Sequence, residues 1–299
     1  MSSFTSLFGL AEILALLSSM FFGGTLVSLR HGMRFGSPLA AVLVINTVVS
    51  LCGFMSSMIL GTFWTAEFTP LLYFAGMGIF GPGIGSICRM MGVMRMGLSP
   101  STLVASSTPI WGTMLAIFIL GEEPTTRVLI GTVFIVGGVS LLAFEDRDEE
   151  SRNFRNWFRT ALIFPVVASV AYAVAPIFIK LAYAYQKTPM LGLGVGFCVG
   201  NILLLLAKPI LPGGGRIHAP LKSIAWYLLG GTFNFTAAIC FMTALTFGNL
   251  SSILPVSRLT PLWVVFFSSI FLRKLERITG LIILAAALVV AGGVMISIR

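Results

Sequence analysis

Runs of about 20 mainly apolar residues recur ten times along this chain, at roughly 6–29, 37–62, 68–92, 99–120, 126–144, 161–184, 189–208, 223–246, 250–271 and 278–298. A helix rising about 1.5 Å per residue needs that length to cross ~30 Å of hydrocarbon. Segments such as "VLIGTVFIVGGVSLLAF" are apolar all round, so the backbone must satisfy its hydrogen bonds internally; a barrel would instead show shorter segments of alternating polarity. With 57% hydrophobic residues, 10% charged residues and a mean hydropathy of +1.00, the chain lies outside the range of soluble domains. The expected fold is an all-α integral membrane protein with ten transmembrane helices.

The charges sort by face. Fourteen of the nineteen Lys and Arg follow odd-numbered spans, among them Arg30, Arg95, Arg216 and Arg273; Arg127, Lys180, Lys187 and Arg299 lie on the other side, and Arg258 lies within a span. The positive-inside rule then makes the odd-span ends cytoplasmic and places both termini outside. The opening "MSSFTS" lacks a basic n-region, so no cleaved signal is expected and the mature chain is expected to begin at Met1. The four cysteines, Cys52, Cys88, Cys198 and Cys240, fall inside spans without metal spacing and read as packing residues. The net charge of +9 needs no nucleic acid partner, because basic loops orient membrane proteins. No GxxxxGK[ST] loop, HExxH or GxSxG occurs, and His31 and His218 are expected in loops. ATP-driven transport and hydrolysis are therefore not expected, nor is any cofactor or metal.

The sequence repeats itself. Thr108-Pro109-x-Trp111 matches Thr260-Pro261-x-Trp263, Glu122 matches Glu276, and the glycines at 137–138 match those at 292–293; upstream, Cys88 pairs with Cys240 and Arg30 with Lys180. Two five-helix repeats follow, 1–144 and 161–299, joined by a charged linker at 145–160. An odd number of spans per repeat inverts the second copy, an arrangement that builds secondary transporters with a midplane site between the halves.

The small-residue "FGG" turn, the Thr-Pro-x-Trp helix leading into "LGEE" or "LRKLER", and the glycine-spaced helix that follows resemble the EamA-type repeat of the drug/metabolite transporter superfamily. The resemblance implies a ten-helix transporter of metabolites, drugs or amino acids, commonly an exporter working without ATP, in a bacterial inner membrane and as a monomer or homodimer. Where many relatives carry a tryptophan in the first helix of each half, this chain has Phe22 and Tyr172. The resemblance also implies cytoplasmic termini, against the charge count.

Candidate site residues follow from polarity inside the spans. Arg258, nine positions into the ninth span, pays at least about 2.5–3.5 kcal/mol for its depth. It either snorkels or binds carbonyls freed by Pro255 and Pro261, or it faces a wet cavity and holds an anionic group. Glu12 is the one acidic residue within a span; it is expected to pair with Arg258, to couple transport to protons, or to serve as a helix-end residue near the headgroups. Small multidrug-resistance proteins, similar to half of this architecture, carry a coupling glutamate in their first helix. Pro82, Pro109, Pro176, Pro255 and Pro261 are expected hinges, with "GIFGPGIG" at 78–85 the densest break. Beside them Ser106, Ser107, Thr108, Tyr172, Asn234, Trp111 and Trp263 offer hydrogen bonds and aromatic walls; the glycines at 131, 137–138 and 292–293 read as close-packing stripes. The leading expectation is a secondary transporter of small polar or zwitterionic metabolites. The alternatives are a non-transporting scaffold or sensor subunit, and a flippase for a lipid-linked substrate.

Overall fold

The computed structural model describes residues 9–96, 101, 104–105, 107–145, 162–211, 215–260, 262–263, 266 and 280–297. Every regular element among them is helical: α1 (Leu10–Gly32), α2 (Pro38–Ile59), α3 (Phe68–Gly78), a π-helical turn (Ile79–Gly85), α4 (Ser86–Met96), α5 (Thr108–Leu120), α6 (Thr126–Glu145), α7 (Ile163–Tyr183), α8 (Pro189–Leu206), α9 (Leu221–Phe247), α10 (Leu250–Ser257) and α11 (Gly280–Ser297), with a short 3-10 turn at Lys208–Ile210. Among the described residues, six stretches are long and apolar enough to cross a membrane: α1, α2, Phe68–Gly92, α7, α8 and α9. Shorter apolar helices occupy Thr108–Leu120, Thr126–Leu141 and Ala287–Ile296.

Local chemistry sets the boundaries. Ser37 caps α2 by accepting from the Ala40 N–H at 3.3 Å, with Pro38 at the first helical position, where its missing donor costs nothing. Gly121, at φ 65°, ends α5 in the left-handed conformation that a side chain would strain. Pro82 offers no N–H to the Gly78 carbonyl, and the helix widens into the π turn there. His31, expected in a loop, lies in the last turn of α1. There its Nδ1 is 3.0 Å from the Val27 carbonyl and its ring stacks on Trp226 at 4.9 Å, so packing on α9 extends the helix past Arg30.

The helices pack α1 on α9, α3 and the π turn on α7, α2 on α8, α6 on α11, α5 on α7 and α10 on α1. The contact of α6 with α11 depends on glycine. A Cβ on Gly131 would meet the Gly292 carbonyl at 2.7 Å, and one on Gly292 the Gly131 carbonyl at 2.6 Å, so the expected stripe is a close-approach surface; Gly137 faces open space instead. Outward faces are apolar, with Phe118, Leu206 and Leu221 widely exposed, as suits contact with lipid rather than water. The four cysteines are free and half-buried.

Candidate functional site

α10 stops at Ser257, and Arg258 follows it with φ −88° and ψ 8°. The arginine sits at a break in the ninth span, where the sequence reading expected Pro255 to interrupt the helix. Proline is the cause. Pro255 leaves the Ser251 carbonyl without its α-helical donor, and Pro261 does the same to the Ser257 carbonyl. The Thr260 hydroxyl then donates to Ser257 at 3.4 Å. The first repeat uses the same device, since Pro109 cannot serve the Ala105 carbonyl and the Thr108 hydroxyl donates to it at 2.7 Å. Threonine before proline thus supplies the hydrogen bond that proline withholds.

The tryptophan of each motif reaches a serine of a first-position helix in the opposite repeat. Trp263 donates through Nε1 to Ser19 of α1 at 2.9 Å. Trp111 donates to Ser107 at 3.2 Å, and the Ser107 hydroxyl, shared between the Val104 carbonyl at 2.7 Å and Ser169 of α7 at 3.3 Å, links the two helices. Ser19 and Ser169 in turn donate to the carbonyls of Leu16 and Val166. Neither serine was anticipated. Both were within reach of the sequence, because extending the Arg30–Lys180 register upstream sets Ser19 against Ser169.

Arg258 is half-buried, its Nε enclosed without a hydrogen-bond partner among the described residues. Its guanidinium carbon lies 5.7 Å from the ring centre of Tyr172, within cation–π range. The Tyr172 hydroxyl is 3.2 Å from Ser86, the first residue after the π turn. A Cβ on Gly85 would meet the tyrosine ring at 2.9 Å, so glycine lets the turn close on it. Pro176 leaves the Tyr172 carbonyl without its α-helical donor. Arg89, one turn along α4 from Ser86, lies within Coulombic reach of Arg258. Neither Ser86 nor Arg89 was proposed from the sequence.

Other candidates fall elsewhere. Glu12 does not pair with Arg258: its Oε2 is buried without a partner, and the neighbouring Ala11 lies against Gly248, before α10 begins. The eight residues of α10 separate the two by about 12 Å, because both helices run the same way from one face. Asn234 is buried in α9 with its Oδ1 without a hydrogen-bond partner among the described residues. Pro109 occupies the first turn of α5 rather than breaking it, and α7 runs through Pro176 without interruption. Pro82 and Pro255 stand where the α-helix is distorted or ends. Ser106 and Pro261 lie outside the described residues.

A second polar cluster joins the ends of even-numbered spans. The Glu122 carboxylate accepts from the Leu250 N–H at 2.7 Å and the Ser251 N–H at 2.9 Å, capping α10 from a distance while Asn249 makes no side-chain cap. Lys180 donates to the Gly248 carbonyl at 2.6 Å. Sequence matching singled out both residues but assigned neither a partner. A cavity of about 170 Å³ lies apart from all of these, at the foot of α2 between Ser37, Met90, Leu211 and Arg216.

The profile of the EamA-like transporter family matches the sequence twice, over residues 9–144 and 159–298. Of 28 solved chains that match the structure, one, described as the crystal structure of a protein, superposes with a TM-score of 0.78 at 13% identity, covering 95% of each chain. At that identity the likeness is one of fold alone. No curated protein matches the sequence.

Proposed function

The chain belongs to the EamA-like transporter family, and on that premise we propose that it is a secondary exporter of small polar metabolites bearing an anionic group, amino acids among them. It works by alternating access between two inverted five-helix repeats that together cross the membrane ten times. The packing supports the inverted pairing: exchanging the repeats turns α1 on α9 into α7 on α3, and α10 on α1 into α5 on α7.

The observation that carries the reading is Arg258. A guanidinium at a broken helix, half-buried and with no carboxylate partner among the described residues, is an expensive feature to retain for stability alone. Interrupted helices in this position expose backbone and charge to a solute at the midplane. Glu12 is the candidate coupling residue, since it is the one acidic residue within a span and its Oε2 is buried without a hydrogen-bond partner among the described residues.

A thermal-shift screen of purified protein against amino acids, nucleosides, sugar phosphates and cationic drugs tests the reading, because a ligand at 100 times its Kd adds about 2.7 kcal/mol. Hits should exchange in proteoliposome counterflow; a ligand that binds and is never exchanged would favour the non-transporting reading. For coupling, Glu12→Gln should eliminate accumulation driven by an imposed pH gradient while sparing downhill counterflow. Normal accumulation in that variant removes Glu12 from the mechanism.

A further inference from the structure

The polar groups near Arg258 are distributed unevenly between the repeats. By the registers that pair Cys88 with Cys240, Arg30 with Lys180 and Thr108 with Thr260, the counterparts of Ser86, Arg89, Tyr172 and Arg258 are Ala238, Phe241, Phe22 and Ser106. Both cations and both of the hydroxyls around them therefore fall on one side of the repeat relation. The other side has three apolar residues and one serine.

Within the polar set the connections are direct. Arg258 lies over the Tyr172 ring, Tyr172 meets Ser86, and Arg89 stands one helical turn from Ser86 on the same face of α4. Neither arginine has a carboxylate partner among the described residues. The carboxylates whose side chains are described are engaged or distant: Glu122 caps α10, Glu67 and Glu123 are exposed, and Glu12 lies about 12 Å away at the far end of α10. Two unpaired guanidiniums in a site of low dielectric repel each other, and the charge that relieves both is an anion between them.

We propose that the site selects solutes of net negative charge, holding a carboxylate or phosphate group between Arg258 and Arg89 with Tyr172 and Ser86 as hydrogen-bonding neighbours. This rests on the transport reading and narrows it, because a zwitterion's ammonium would meet two like charges and no carboxylate. Arg89 is then a specificity-determining residue.

The test uses inorganic phosphate as the probe, against chloride at matched ionic strength, with melting of the purified full chain as the readout. Phosphate should raise the melting temperature saturably in the unsubstituted protein. Arg89→Gln should raise the half-saturating phosphate concentration at least ten-fold, and Arg89→Lys should restore part of it. Without phosphate, Arg89→Gln should melt no lower than the parent, since it relieves repulsion; a purely structural arginine would lower it. Arg258→Gln should repeat the phosphate effect, and the Arg89 series suffices if that variant does not fold. An unchanged phosphate response in Arg89→Gln overturns the proposal, as does the absence of any saturable response in the parent, or a larger shift with alanine than with phosphate. Binding is read without flux, so the two readings fail separately. Phosphate binding with no exchanged solute sinks transport, and exchange of zwitterions without phosphate binding sinks the anion site.

Discussion

The Thr-Pro-x-Trp segments at 108–111 and 260–263 face the same backbone problem and meet it alike, with a threonine hydroxyl donating to the carbonyl that proline cannot serve. They differ one and two residues upstream. The first carries Ser106 and Ser107, and its tryptophan reaches α7 through the second of these. The second carries Arg258 and Leu259, and its tryptophan reaches α1 without an intermediary. Serine at 107 relays a hydrogen bond, which leucine at 259 cannot do. What the two copies share therefore holds the helices to one another; what they do not share is the charge.

That division makes Arg258→Ala the largest effect to expect. Flux in proteoliposomes should fall at least about 100-fold, because a charged bidentate contact is worth several kcal/mol and 1.4 kcal/mol is tenfold. The protein should remain monodisperse and melt little lower, since the residue follows the end of α10 and gives up only its contact with the Tyr172 ring, with no carboxylate partner among the described residues. Arg258→Lys should recover only part of the flux, having lost the planar fork. Ser106→Ala, at the matched position, should cost under about ten-fold, the worth of one neutral hydrogen bond. Equal losses at the two positions would break the comparison and return Arg258 to snorkelling.

The same division explains what could be read from the sequence. Helix positions and the repeat follow from long apolar runs and matched motifs, and α2, α6 and α8 begin within a residue of the expected 37, 126 and 189. Arg258, named for its cost in a membrane, and Tyr172, named as an aromatic wall, do come together. Residues that act as partners escaped, because a serine in a membrane helix carries no signal of its own until another chain segment reaches it. Ser19, Ser86 and Ser169 are of that kind. The Glu12–Arg258 pair failed for a different reason: depth was counted from a first span starting near residue 6, whereas α1 begins at Leu10, which leaves Glu12 in its first turn while Arg258 follows the eight residues of α10.

A smaller effect is expected at the two membrane faces. Lys180 holds the Gly248 carbonyl beside Glu122, whereas its register mate Arg30 is exposed and makes no hydrogen bond or ion pair among the described residues. Glu122→Gln keeps the shape but surrenders the charge that serves two helix N-terminal N–H groups. About 1–2 kcal/mol of stability should be lost on denaturant titration. Arg30→Met should change stability by less than about 0.5 kcal/mol, as exposed substitutions do. A large loss at Arg30 with none at Glu122 would reverse the assignment of which face is tied down in this conformation.

The smallest expected effect sharpens the comparison of the tryptophans themselves. Replacing either by phenylalanine keeps a ring and removes one N–H donor. At Trp263 that donor crosses between repeats in a half-buried setting, to a serine that is fully buried, so Trp263→Phe should cost about 1 kcal/mol. At Trp111 the bond is longer, reaches only the N-cap residue of its own helix and is borne by an exposed ring, so Trp111→Phe should cost about half as much or less. A double-mutant cycle isolates the crossing bond: Trp263→Phe with Ser19→Ala should show coupling of about 0.5–1.5 kcal/mol, while Trp111→Phe with Ser169→Ala, joined only through Ser107, should show less than about 0.5. If the two cycles return the same coupling, the direct and relayed connections are equivalent, and the repeats differ in charge alone.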